Sequence, residues 1–406
     1  MHILILNAGS SSHKCCLYDL AADSLPNDPP EPLWQGQLDW THQQGKVERT
    51  VKTATGETEE TVLSVSSRQE GLAQLLETLW SGKTQVVAGP KSIAIVGHRV
   101  VHGGEKYHDS VRIDAAVKQT IEDLIPLAPE HNPRNLEGIE AIAGILGNVP
   151  QVAAFDTAFH AQMPEAAFTY AVPYDWRSQG IRRYGFHGIS HQYCGQRAAQ
   201  LLEKPLADLR LITCHLGNGC SLAAVQNGRS LDTTMGYTPL EGLMMGSRSG
   251  SVDPGLVLQL LQQDSYNIQQ LNHLLNKESG LKGIFGASGD MRQITEAIAQ
   301  GHDRAQLALD MFIHSLRRHI GAMLGVLGGL DGLVLTAGIG ENTPLIWQAV
   351  GEAFSFLGLA LDQEKLKRSP QDQIISTPDS AVQVLVIHTQ EEWAIARDCW
   401  RLAQEN

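Results

Sequence analysis

The chain has 406 residues, 42% of them hydrophobic, and a formal charge of −13 at pH 7. That length and apolar content suffice for two hydrophobic cores, and without long charged or repetitive tracts two folded domains are expected. The acidic balance, with a pI near 5.6, argues against a nucleic-acid partner, which is held by clustered Lys and Arg. No apolar run reaches the ~20 residues that cross a bilayer, and no basic leader precedes the first one, so a cytoplasmic protein with no membrane partner is expected.

The N-terminal stretch MHILILNAGSSSHKCCLYDL reads as an apolar strand, a polar turn and a second strand. A Pro- and Asp-rich loop follows over 21–32, then an exposed hairpin over 47–65. Leu72, Leu75, Leu76 and Leu79 have the spacing of an amphipathic helix over 69–80. It leads to the strand 93–96, whose end delivers GHRVVHGGEKYH. His98, Arg99 and His102 thus stand where a strand opens into a glycine-rich turn, the place where open α/β sheets gather ligands. A helix is expected over 111–124. The three prolines of PLAPEHNPRN break it, and a second helix covers 136–146. Asp156 ends a short buried strand, either facing a ligand or capping the next helix.

RRYGFHGISH gathers Arg182, Arg183, His187 and His191 around two glycines, a local concentration of basic groups in an acidic chain. His187 and His191, at i and i+4, are a metal-binding pair or plain helix-surface histidines. The central stretch LITCHLGNGCSLAAV is again strand, glycine turn and strand, with Gly217 and Gly219 placed so that amide N–H groups converge on an anion such as phosphate; an ordinary β-turn is the alternative. LDTTMGYTPLEGLMMGSRSGSVDPG is too irregular for one element and reads as a long functional loop. In it Arg248 either reaches an anion bidentately or makes a surface salt bridge. GASGDMRQI is a polar turn into a helix, whose N-terminus offers further N–H groups. A long helix follows over 305–327, then the strand 332–336, which ends in AGIGENTP. That second glycine-rich ligand turn lacks the Walker and Rossmann spacings. The last strand, 382–388, feeds TQEEWAIARD, where Glu391 and Glu392 are helix caps or magnesium ligands. The six cysteines form no C-x-x-C pair, and several lie in apolar strands, so buried free thiols are expected.

The first and central strand–turn–strand stretches echo each other. Setting Asn7 against His215 puts Gly9 on Gly217, Ser10 on Asn218 and Leu17 on Val225. Such an echo suggests a duplicated domain, with both turns facing one cleft.

Taken together, NAGSSSHK, HRVVHGG, FDTAFH, RRYGFHGISH, HLGNG, DTTMGYTPLEGLMMGSRSG, SGDMR, TAGIGEN and EEWAIARD resemble the acetate kinase family, of the acetate and sugar kinase, actin and heat-shock-chaperone ATPase superfamily. The resemblance runs from Met1 to the last helix. It implies an α/β fold of two duplicated actin-like (ribonuclease H-like) ATPase domains, with mixed five-stranded sheets flanked by helices and a cleft between them. The first domain would span 1–157 plus 392–406, closed by the terminal helix. The second, 158–391, would bind nucleotide and form a homodimer.

The implied activity is reversible phosphoryl transfer from ATP to acetate, giving acetyl phosphate and ADP. Asn7 and Glu391 would hold Mg²⁺, with Mn²⁺ able to substitute. Lys14, His215, Leu216, Gly217, Asn218, Gly219, Asp290, Met291, Arg292, Gly338, Ile339, Gly340, Glu341 and Asn342 would line the nucleotide. Arg99 would bind the carboxylate, beside an acyl pocket of Val101, Phe186 and Pro239. Asp156 occupies the family's acid/base position, and His187 and Arg248 would stabilise the transition state. A carboxylate acceptor is already ionised at pH 7, so Asp156 is expected to orient Arg99 or a metal-bound water instead.

Glu130 stands where the family usually has a pocket Leu. It must turn to solvent or the pocket must differ, because an unpaired buried carboxylate is costly. His13 and Cys15 replace apolar or aromatic family residues beside Lys14. Three other readings compete: a propionate or butyrate kinase, a non-catalytic nucleotide switch, and a metal-dependent hydrolase built on Asp156, His160, His187 and His191.

Overall fold

An apolar run opens the chain and becomes a strand buried on both faces. The computed structural model describes residues 1–9, 12–43, 46–263, 265–367 and 372–405. Two units emerge: Met1–Ala158 with Gln390–Asn406, and Phe159–Thr389.

The first unit holds β1 (His2–Ala8), β2 (Ser12–Asp19), β3 (Trp34–Gln43), β4 (Lys46–Thr53), β5 (Thr58–Ser64), β6 (Ile93–Val100), β7 (Val111–Arg112) and β8 (Gln151–Phe155). They form one mixed sheet in the order β5-β4-β3-β2-β1-β6-β8-β7. The second unit holds β9 (Arg210–Leu216), β10 (Cys220–Gln226), β11 (Arg229–Thr233), β12 (Gly332–Thr336), β13 (Gln373–Ile374) and β14 (Gln383–Val386), in the order β11-β10-β9-β12-β14-β13.

The stretches β3-β2-β1-β6-β8 and β11-β10-β9-β12-β14 share both order and strand direction, with one antiparallel meander and two parallel steps in each. That repeat is the duplication expected from the sequence. The sheets have eight and six strands rather than five, because the hairpin β4–β5 and the short β7 extend one edge each and β13 extends the other sheet.

The matching of the two turns needs correction. Ala8 pairs with His13, whereas Leu216 pairs with Cys220, so the first turn is one residue longer. Accordingly Gly9 N–H donates to the Ser12 carbonyl, and Gly217 N–H donates to that of Gly219. Beyond the turn Leu17 therefore corresponds to Ala224, not Val225. Ser10, the residue set against Asn218, and Ser11 lie outside the described residues.

Strand alternation decides which side chains meet. Leu4, Leu6 and Ala8 of β1 join Cys15, Leu17 and Trp34 in a core covered by the helices Arg68–Glu77 and Asn132–Leu146. On the opposite face lies the terminal helix Glu391–Gln404, packed so closely that a Cβ on Gly97 would come within 2.6 Å of Cys399 and Ile395. That helix is tethered by Ser110 donating to Asp398, Arg112 to the Leu402 carbonyl and Trp400 to the Ala21 carbonyl.

Two expected helices are redrawn by local chemistry. Residues 111–112 are strand, and the helix Ala115–Asp123 begins after Asp114, whose carboxylate caps the Val117 N–H. The next helix starts at Asn132, with Pro133 in its first turn, where proline has no lost hydrogen bond to pay for.

Besides His191, four described histidines are buried without charge: His13, His98, His102 and His160 are at most 2% exposed. Burial lowers each from 6.5 to about 4. Below pH 6.5 the unfolded chain takes up protons that the folded chain refuses, so stability falls as pH drops from 6.5 towards 4. The loss is about 2 kcal/mol per histidine at pH 5. Asp232, Glu391 and Asp398, raised by burial, act in the opposite sense. Melting temperatures measured from pH 7 to 5 should fall steeply, and His98→Gln should flatten the slope.

Candidate functional site

In the first unit the polar residues cluster at the ends of the central strands, on the face that carries the terminal helix. Arg99 follows Gly97 by two positions on β6 and shares its face. Asn7 lies on β1 opposite Lys14 of β2. Just past β8, the Asp156 N–H donates to the Val100 carbonyl, which turns the carboxylate onto Arg99. Arg99 Nε donates to Asp156 Oδ1 at 2.9 Å and Nη2 to Oδ2 at 2.6 Å, a bidentate pair in which Asp156 is 1% exposed. Arg99 Nη1 donates to Asn7 Oδ1 at 3.4 Å, and Nε lies 4.0 Å from Glu391 Oε2.

Burial acts to lower the Arg99 pKa, but the Asp156 and Glu391 charges outweigh it and raise it. Burial also lifts the Glu391 carboxyl above the usual carboxylate range; Asp156 and Glu392 add to this, and Arg99 and Lys14 oppose it. Asp156 therefore holds Arg99 rather than capping a helix. Lys14 is exposed.

In the second unit the glycine turn after β9 is overhung by basic groups. A Cβ on Gly219 would meet Arg248 Nη1 and His187 Cε1 at 3.3 Å each, so a side chain there would push those groups back by a few tenths of an ångström. His187 precedes the helix Gly188–Leu201 with φ 57°, a left-handed conformation rare for a residue with a side chain. Its ring stacks on His215 at 4.1 Å between centroids. His187 Nδ1 and Ser221 Oγ share a hydrogen bond of 2.9 Å, and His215 Nδ1 and Ser190 Oγ share one of 2.8 Å.

His191 is neither on a helix surface nor placed as a metal ligand. It is fully buried, with Nδ1 bonded to Thr213 Oγ1 and Nε2 to Ser221 Oγ. Burial, with His160 and His215 nearby, drives its pKa well below the usual value. His160 is likewise occupied, by Ser230 and the Phe186 carbonyl. With the ring nitrogens of both engaged, the hydrolase reading loses its ligands. Among the described residues no group of three or more His, Cys, Asp or Glu could hold a metal ion.

The remaining predicted residues divide by role. Arg182 is buried over the Phe168 ring, and Arg183 binds Glu241, which also accepts from Tyr170; neither arginine adds free positive charge. The Arg183–Glu241 pair anchors the irregular loop in which Pro239 and Arg248 stand. Asn218 is exposed at the tip of the glycine turn, and Leu216 is buried beneath it.

Asp290 caps the helix Met291–Ala299 and pairs with the exposed Arg292, while Met291 packs inside. AGIGEN is not a turn. Residues Ala337–Asn342 are helical, with Ile339 and Gly340 buried and Gly338 and Asn342 exposed. Glu341 points back into the structure, accepting from the Ala337 and Thr389 N–H groups. Val101 is buried in the first unit and Phe186 in the second, and Glu130 is exposed, the solvent-facing alternative.

Sequence reading missed Ser190, Thr213 and Ser221, small hydroxyls inside strand and helix patterns. The one available signal was a polar residue facing inward in an apolar run, as in CSLAAV.

A duplicated meander-plus-parallel sheet, with polar strand ends on each copy, defines the acetate and sugar kinase, actin and chaperone-ATPase class. The sequence profile of the acetokinase family matches residues 2–397, and the chain belongs to that family. It is 58% identical to the acetate kinase of Cyanothece sp. over 100% of this chain and 99% of the other, and 59% identical to that of Trichormus variabilis over 99% of each. Among solved structures, the acetate kinase of Porphyromonas gingivalis superposes with a TM-score of 0.91 at 39% identity over 99% of both chains. A propionate kinase of Francisella tularensis gives 0.88 at 36% over 98% of both. No helix among the described residues is long and apolar enough to cross a membrane.

Proposed function

We propose that the chain is a kinase that moves the γ-phosphoryl group of ATP reversibly and in line onto acetate, giving acetyl phosphate and ADP. The observation that carries this reading is the convergence of Arg248 and His187 over the Gly219 turn. Phosphoryl transfer spreads negative charge over equatorial oxygens, and positioned donors are what that charge requires. Arg99, locked in a bidentate pair and still 22% exposed, receives the substrate carboxylate. No general base is required, because the acceptor is already ionised.

The nucleotide lies along His215 to Gly219, Asp290 to Arg292 and Gly338 to Asn342, with Lys14 reaching its phosphates. Asn7 Oδ1 and the Glu391 carboxylate supply hard oxygen donors, which suit Mg²⁺ or Mn²⁺ held by one or two protein groups together with water and phosphate. When bound, that ion neutralises phosphate charge. The pairing partner is a second copy of the chain. Supporting this, the helices Pro254–Gln262 and Asp303–Leu327 expose Leu256, Leu258, Leu307 and Met311, at 39–60%. The protein works in the cytoplasm.

The test is hydroxylamine trapping of acyl phosphate from formate, acetate, propionate and butyrate with ATP and Mg²⁺. Acetate is expected to be preferred, in line with an exposed Glu130. A preference for propionate would move the specificity, since one methylene is worth only ~1–3 kcal/mol. No acyl phosphate from any acid would sink the assignment.

A further inference from the structure

His160 is fully buried in the second unit, and its two ring nitrogens face different kinds of partner. Nε2 lies 3.1 Å from the Phe186 carbonyl, and Nδ1 lies 2.8 Å from Ser230 Oγ on β11. A carbonyl oxygen has no proton to give, so the first bond exists only if Nε2 carries hydrogen. Burial holds the ring neutral, with its pKa lowered to about 4, so Nδ1 keeps a lone pair and Ser230 donates to it. The other acceptor near the Ser230 hydroxyl, the Asp232 carbonyl at 3.5 Å, is too distant to compete. The carbonyl thus selects one tautomer of His160, and the serine completes it.

The carbonyl so held belongs to the peptide that leads into His187. Phe186 stands between two residues in left-handed backbone, Gly185 with φ 79° and His187 with φ 57°. Glycine adopts that conformation freely, whereas a residue with a side chain keeps it only where its surroundings over-determine it. On one side His187 is fixed through its own carbonyl, which accepts from the His191 N–H at 2.9 Å. On the other side the Phe186 carbonyl is fixed by His160, whose ring lies so close to Gly185 that a Cβ there would come within 2.7 Å of Cδ2. We infer that His160, oriented by Ser230, is a positioning residue: its Nε2–H holds the Phe186–His187 peptide in the conformation that delivers the His187 ring over the Gly219 turn. This rests on the kinase reading, in which His187 meets charge developing on the transferred phosphoryl group.

The test combines ¹⁵N-resolved imidazole spectra with kinetics on the full chain. The wild type should show His160, assigned by its loss in His160→Gln, with Nε2 protonated and Nδ1 bare. His160→Phe keeps a ring but loses the donor. It should shift the His187 resonances, assigned by His187→Gln, and lower kcat for acyl phosphate by about tenfold or more, with KM for ATP within about twofold. His160→Gln, whose amide carries N–H near the place of Nε2, should restore much of both. Should the His160 variants fold poorly, Ser230→Ala removes only the hydroxyl that orients the ring, and it should move the His187 resonances and kcat in the same direction by a smaller amount.

A wild-type His160 protonated at Nδ1 overturns the inference. So does a His160→Phe protein that melts lower yet keeps wild-type His187 resonances and kcat, or, where only Ser230→Ala folds, a Ser230→Ala protein unchanged in both. His187 resonances that respond as expected in a chain whose wild type makes no acyl phosphate overturn the kinase reading alone.

Discussion

Replacing Arg248 with Ala should reduce kcat by roughly 10²- to 10³-fold while leaving the fold intact. Arg248 stands in the irregular stretch between β11 and the helix Pro254–Gln262, and its guanidinium reaches the Gly219 turn. Part of its surface is open, so truncation leaves no deeply buried cavity and stability should change by less than about 1 kcal/mol. Arg248→Lys should rescue little, because a point charge does not reproduce a planar two-pronged donor. Steady-state rates of acetyl phosphate formation, read beside the thermal melt of each variant, separate these effects. A variant that melts like wild type and keeps wild-type kcat would remove Arg248 from the chemistry.

Asp156→Ala should be costly in another currency. The carboxylate is buried and accepts two N–H groups of Arg99, whose next carboxylate neighbour, Glu391, is at 4.0 Å. Removing one partner of such a pair typically costs ~3–5 kcal/mol; partial exposure of Arg99 puts the expected loss at the lower end, about 3 kcal/mol. Asp156→Asn keeps the shape but points an NH₂ group at a guanidinium, so it should lose less stability and still misplace Arg99. Both variants should raise KM for acetate and alter the magnesium dependence. If Asp156 merely moved a proton, Asp156→Asn would lower kcat with little change in KM, and if it did nothing, turnover and magnesium dependence would be those of wild type. Chemical denaturation and an acetate titration decide the matter.

The parts of the molecule legible in the sequence are those fixed by local rules. The strand–glycine–strand pattern around Gly217 and the N-terminal run gave the duplicated meander, and Asp156 stands just past β8 as expected, whereas β6 runs on to Val100 and carries Arg99 within the strand rather than in the turn after it. The one-residue difference between the two turns escaped because it is a matter of pairing register, which only the hydrogen bonds from Gly9 and Gly217 settle. AGIGEN reads as a turn from its glycines, yet Glu341 folds back to accept the Ala337 N–H and makes a helix of it. His191 looks like a metal ligand by spacing. Its burial, and the hydroxyls that occupy both nitrogens, come from strands β9 and β10, distant in sequence.

The six cysteines carry a practical consequence. All are buried as free thiols, and burial raises the pKa of each far above ordinary values. An alkylating or oxidising reagent needs a thiolate, so in the folded chain it finds no ready target. Labelling can proceed only as fast as the structure opens. Cys15, Cys16 and Cys399 then time the breathing of the first unit, and Cys194, Cys214 and Cys220 that of the second, as a set of clocks already built into the wild-type chain.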